Sequence, residues 1–157
     1  MKIYISSSWK NREQVRELAI TLRKYGNEVY DFTDPNCRKT PEIPPERYPE
    51  QFDPEKHRYK DYICKPEWYE AVYCNRDAIA WADTIILLLP CGIDAHADWA
   101  LGVGMGKTSA VVGHPRKGER SPVHLWSDFM FDDVESLLKS GLYGAEATQA
   151  GEGGTDG

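Results

Sequence analysis

From Asp83 to Pro90 the chain reads DTIILLLP, a strand-length apolar run with no polar alternation. A strand with one wet face must alternate; a strand covered on both faces need not. The run therefore belongs to a parallel sheet packed between helix layers. Pro90-Cys91-Gly92 breaks the strand, and a helix opening near Asp94 carries Asp98 in its first turns. Ligands of open parallel sheets sit beyond the carboxyl ends of the strands. Asp98 is thus an acidic group at the functional edge of such a sheet. It can also be read as a carboxylate that merely complements the positive end of a helix.

The rest of the chain supplies partners for that strand. Lys2 to Ser6 reads as a first strand, and Asn11 to Tyr25 as an amphipathic helix with Val15, Leu18, Ala19 and Leu22 on one face. Gly26 caps it, and Asn27 to Phe32 is a second strand. Strand–helix–strand of this brevity implies a right-handed parallel crossover. Pro66 opens a further helix where its missing N–H costs nothing. There Trp68, Ala71, Val72, Asn75, Ile79 and Ala82 form the stripe facing the sheet, while Asp77 projects to solvent. A buried asparagine needs partners, so Asn75 either satisfies backbone groups or points into a cleft. Thr108 to Gly113 reads as a fourth strand, Val123 to Trp126 as a fifth, and Phe131 to Lys139 as a last amphipathic helix. The expected architecture is one α/β domain over residues 1–143, a three-layer flavodoxin-like or Rossmann-like fold with a parallel sheet of four to five strands.

Two stretches fall outside that pattern. Residues 33–66 hold seven of the ten prolines, interleaved with Tyr48, Phe52, Tyr59 and Tyr62. Their aromatic content favours an ordered lid or an oligomer contact over a flexible linker. Residues 144–157 are glycine-rich and acidic, a composition that predicts disorder.

Composition narrows the partners. A net charge of −6 argues against a nucleic-acid polymer or an anionic membrane, either of which favours a basic face. No apolar run reaches ~18 residues, so neither a signal peptide nor a membrane span is expected. Cys37, Cys64, Cys74 and Cys91 are irregularly spaced, which reads as reduced thiols of a cytoplasmic protein. His57, His96, His114 and His124 lack metal-ligand spacing, so no metal is expected. GVGMGKT, from Gly102 to Thr108, imitates a phosphate loop and is not one. The required first glycine is Leu101, and Lys107 ends a helix instead of opening one. These glycines suit close helix–sheet packing and a helix cap. Ser6, Ser7 and Ser8 end the first strand ahead of a helix N-terminus, where they either hydrogen-bond a phosphate or sugar or cap the helix. Trp9 can stack on a base, and His96, two residues before Asp98, can touch the same ligand.

KIYISSS at the start, NRDAIAWADTIILLLPCG in the middle and DAHADWALGVGMGK after it together resemble the nucleoside 2-deoxyribosyltransferase-like superfamily, over residues 1 to about 140. SSSWKNREQVRELAITLRKYGNEVYDF is also similar to Toll/interleukin-receptor (TIR) domains, some of which cleave NAD. The resemblance implies an enzyme that cleaves or transfers an N-glycosidic bond without cofactor, through a carboxylate that traps an oxocarbenium-like centre. It places Asp98 at the family's nucleophilic glutamate, one methylene shorter, and Tyr4 at its orienting tyrosine. Asn75 falls at the helper aspartate, where an amide cannot act as a general acid. Asp94 stands where nucleotide-cleaving relatives carry a phosphate-facing serine. Catalytic roles are therefore expected for Asp98, Asn75 and Tyr4. Ligand binding is expected at Ser6, Ser7, Ser8, Trp9, Gly92, Asp94 and His96. The implied ligand is a nucleoside, nucleotide or NAD-like molecule, and the implied assembly a homo-oligomer, dimer or higher. Two rivals remain: a TIR-like NAD hydrolase, and a non-catalytic nucleotide-binding or sensing module.

Overall fold

A computed structural model describes residues 1–37 and 52–145. Five strands form one sheet: β1 (Lys2–Ser6), β2 (Glu28–Tyr30), β3 (Thr84–Leu88), β4 (Thr108–Val112) and β5 (Phe129–Phe131). Their order is β2-β1-β3-β4-β5 and every pairing is parallel. The order reverses between β1 and β3, which creates a crevice outside their carboxyl ends. All five residues of β3 are buried, as a strand covered on both faces requires.

The helices are α1 (Arg12–Lys24), α2 (Tyr59–Ile63), α3 (Pro66–Trp81), α4 (Ile93–Gly104) and α5 (Val134–Lys139). α1 covers one face with Val15, Leu18, Ala19 and Leu22, all buried. α3 and α4 pack against each other and on β1, the other side that right-handed crossovers dictate. Alternation along β1 serves both layers. Ile3 and Ile5 turn to one face and Tyr4 and Ser6 to the other, where Ser6 Oγ donates to the Ala95 carbonyl of α4 at 2.8 Å.

Glycine does the structural work foreseen for it. Gly106 ends α4 at φ +74°, and Lys107 Nζ then donates to the Ala80 carbonyl at 2.8 Å. A Cβ on Gly102 would lie 2.8 Å from Ile85 Cδ1, 3.0 Å from its Cγ2 and 3.3 Å from its Cβ.

Several boundaries differ from the sequence reading. Pro122–Trp126 is a 3-10 helix, not the fifth strand; its proline lacks the ladder N–H and Leu125 and Trp126 face outward. The fifth strand is Phe129–Phe131, so Phe131 belongs to it and the last helix starts only at Val134. Asp128 fixes this strand by accepting from Ser109 N and Oγ, at 2.8 and 3.0 Å. Val72, expected in the stripe facing the sheet, is 63% exposed, while Ile79 and Ala82 of the same stripe are buried. The proline-rich stretch is not structureless where described. It contains α2, and Phe52 packs edge-on against Tyr59 and Tyr62, at 5.3 Å each. The remainder of the lid expectation (38–51) and most of the tail (146–157) lie outside the described residues.

Gly102 gives a test of the α4–sheet contact. Alanine gains roughly 1 kcal/mol of helix propensity. Overpacking costs about 1–3 kcal/mol, and no rotamer of Ile85 moves its Cβ. Gly102→Ala should therefore lower the urea midpoint, Gly102→Val should lower it further, and Ile85→Val should recover part of the loss.

Candidate active site

Three elements meet over the β1/β3 crevice. Tyr4 lies in β1, Asn75 in α3, and Asp98 in the second turn of α4. The Tyr4 hydroxyl donates to Asp98 Oδ2 at 2.9 Å, and Asn75 Nδ2 donates to the same oxygen at 3.1 Å. The second oxygen, Oδ1, has no donor among the described residues. One carboxylate oxygen is thus clamped and the other is not. Asp98 is half-buried, and Asp77 projects to solvent as its helical phase requires.

Opposing forces set the charge of this carboxylate. Burial pushes the Asp98 carboxyl up, the bonds from Tyr4 and Asn75 pull it down, and the charge of Asp94, one turn earlier on α4, raises it again. Burial dominates, so the carboxyl stays above its ordinary range. The Tyr4 phenol is held well above its usual value by burial and then by the Asp98 charge. It therefore remains a hydrogen-bond donor.

The sequence reading missed the groups behind this trio. Tyr30 of β2 stacks on Tyr4, with ring centres 5.2 Å apart and planes within 7°. Its hydroxyl lies 3.4 Å from the Cys74 sulfur, next to Asn75. Tyr30 thus braces both donors, a role that only the Tyr4–Tyr30 register reveals. Asn11 donates from Nδ2 to Ser7 Oγ at 3.3 Å and also to the Pro90 carbonyl, joining the loops that follow β1 and β3.

The remaining expected ligand residues separate into two groups. Ser8, Gly92 and Asp94 are accessible around the strand ends, where Gly92 is the N-cap of α4 and Ser8 accepts from Lys10 N at 3.3 Å. Ser6 and Ser7 are engaged with backbone, Ser7 Oγ donating to the Leu88 carbonyl at 2.8 Å. Trp9 packs edge-on against Phe32, with ring centres 5.2 Å apart. His96 turns away from Asp98, because two residues along a helix rotate the side chain by about 200°. Its Nδ1 donates to the Gly92 carbonyl at 2.8 Å, and its Nε2 lies 2.9 Å from Nε2 of His124. Among the described residues no group of three or more His, Cys, Asp or Glu side chains is placed to hold a metal. Two cavities, about 630 Å³ near Lys107, Asp128 and Tyr143 and about 360 Å³ near Glu17 and Asp133, do not include Asp98.

A half-buried carboxylate braced on one oxygen, at the switch point of a 2-1-3-4-5 sheet, defines an α/β protein with an acidic crevice site. The same fold occurs in the Clostridium botulinum CMP N-glycosidase BcmB, at a TM-score of 0.54 and 13% identity, over 89% of this chain and 97% of that one. It occurs also in a 2-deoxyribosyltransferase from the psychrotolerant bacterium Bacillus psychrosaccharolyticus, at a TM-score of 0.58 and 18% identity, over 87% and 90%. No family model and no curated protein sequence matches the chain. The α/β fold with a parallel sheet expected from the sequence is therefore the fold observed, and these two proteins share it. No helix among the described residues is long and apolar enough to cross a membrane.

The charge balance at Asp98 has a measurable consequence. Between the unfolded-chain value of about 3.9 and the raised folded value, the folded chain holds a proton that the unfolded chain releases. This carboxyl therefore stabilises the fold at acidic pH and loses that contribution as pH rises through its folded value. Asp98→Asn should melt above the wild type at pH 7.5, with the gap closing toward pH 4. A gap that widens on acidification would contradict this sign.

Proposed function

We propose that this protein cleaves or transfers the N-glycosidic bond of a nucleoside or nucleotide, with Asp98 attacking the anomeric carbon. The supporting observation is the convergence of Tyr4 and Asn75 on Oδ2, with Oδ1 left without a donor among the described residues. Nucleophilic attack needs a carboxylate that is ionised, fixed in direction and poorly solvated. Two donors fix the direction, and partial burial removes water from the charge. As the sugar carbon gains positive character, Oδ1 stabilises it and then bonds to it. Water or an acceptor base displaces Asp98 in a second step, as in retaining glycoside chemistry. Ser8, Trp9, Gly92 and Asp94 are assigned to the ligand's polar and planar parts. Ser6 and Ser7 are assigned the positioning of the loops that present them. The activities named for the two fold neighbours are consistent with this chemistry.

The test is chromatography of free base after incubation with a panel of nucleosides, nucleotides and NAD. Asp98→Asn should abolish release while ligand binding stays nearly intact, since an amide cannot stabilise the developing charge. Asp98→Glu should retain turnover, because it lengthens the same carboxylate by one methylene. Nicotinamide as the sole product from the panel would favour the NAD-hydrolase alternative. Binding without turnover of any compound would replace the enzyme reading with a sensing module.

A further inference from the structure

His96 and His124 fix the positions of each other's protons. A carbonyl oxygen only accepts, so His96 Nδ1, 2.8 Å from the Gly92 carbonyl, carries a hydrogen. In the neutral ring Nε2 is then a bare acceptor. His124 Nε2 lies 2.9 Å from it, so His124 carries its own hydrogen on Nε2 and donates. With the nitrogens that close, ring centres 5.1 Å apart and planes within 13° mean that the imidazoles meet edge to edge, nearly in line.

This bridge joins two segments. His124 belongs to the 3-10 turn Pro122–Trp126, whose Leu125 and Trp126 are exposed and whose Val123 is only partly buried. His96 stands in the first turn of α4 and holds the carbonyl of Gly92, the N-cap at the crevice edge. His124 also meets Trp99 of α4 edge-on, with ring centres 6.1 Å apart.

Protonation acts on the bridge in two unequal steps. His124 Nδ1 has no hydrogen-bond partner among the described residues, so a first proton enters there and leaves the bridge in place as a charge-assisted bond. A second proton has only His96 Nε2 to occupy, and two N–H groups cannot face each other at 2.9 Å. The contact therefore ends when both rings are charged. Burial of His124 and the like charge of His96 hold that second step below the ordinary histidine value. The other ionisable groups felt at the pair do not undo this. Burial pushes the Cys91 thiol up to about 12, so its sulfur, 3.5 Å from His96 Nδ1, stays neutral. Glu119, the carboxylate that feels His96, is paired with Arg116 at 3.2 Å. Asp94 and Asp98, each two residues from His96 on α4, project to the far side of the helix.

We propose that His96 and His124 form an acid-released latch: one bridging hydrogen bond ties the turn Pro122–Trp126 to the start of α4 and steadies the Gly92 edge of the crevice, and protonation of both rings opens it. The latch holds whatever Asp98 does to a ligand.

Nuclear magnetic resonance of the full chain, following the histidine rings and backbone amides from about pH 8 to about pH 4.5, tests this. His96 and His124 should titrate in two separated steps shared between them. The amides of His124 and Ser127 donate to the Ser121 and His124 carbonyls at 3.1 and 3.0 Å. At the second step they should lose about tenfold in protection from hydrogen exchange, after correction for the pH dependence of exchange itself. The Ile93 amide, which shares a peptide with the Gly92 carbonyl, should shift at the same step. His124→Gln reaches the same acceptor with an amide N–H and has no proton to gain, so its exchange protection and its Ile93 resonance should cross that range without a step. His124→Phe keeps a ring beside Trp99 and removes the donor, so protection should be low at every pH and His96 should titrate in one step. Single-step titration of both wild-type rings near about 6.5, or wild-type protection that survives the second step, would overturn the latch. An Ile93 shift that persists unchanged in His124→Gln would overturn its link to the crevice.

Discussion

The hydrogen bond from Tyr4 to Asp98 joins the inner strand β1 to the helix that follows β3, and the architecture of the crevice depends on it. It exists because β1 alternates. With Ile3 and Ile5 committed to the α1 face, Tyr4 and Ser6 must turn toward α4. Ser6 sets the start of α4 through the Ala95 carbonyl, and Gly102 lets the rest of that helix lie against Ile85 without an intervening Cβ. Close approach of α4 to the sheet brings a carboxylate within reach of a buried phenol. The same closeness removes water from Asp98 and so raises the energy of its charged form.

A carboxylate placed this way is costly to ionise. Burial of Asp98 opposes ionisation, and the two donors on Oδ2 recover only part of that cost. Their effect is directional: they use one oxygen and leave the other. Behind them, Tyr30 stacks on Tyr4 and reaches the Cys74 sulfur, so a displacement of β2 would be transmitted to both donors.

The sheet was legible from strict periodicities, as was the inward phase of Asn75, whereas Tyr4 was joined to Asp98 only by the family resemblance. The unbroken apolar run at β3 announced burial on two faces, and helical phase put Asn75 inward and Asp77 outward. What was not legible depended on tertiary context. Val72 has the phase expected of a buried residue, yet it is exposed. Val123 to Trp126 has apolar character, yet the strand that completes the sheet is the next segment, anchored by Asp128 to Ser109. His96 was grouped with Asp98 by proximity in sequence, and the geometry of a helix separates them. Tyr30 and Asn11 carried no local signal, since their partners are set by strand register and loop packing.

The central claim is that Asp98 forms a bond to the sugar. Fluorine at the 2-position of a ribosyl substrate with a reactive leaving group destabilises both positively charged transition states, so that the intermediate forms and then breaks down slowly enough to be trapped. Rapid quenching of such a reaction, followed by intact-mass measurement and peptide mapping, should find one sugar residue added per chain, located on Asp98 and absent from Asp98→Asn. Base release with no adduct, or an adduct on any other side chain, would contradict it.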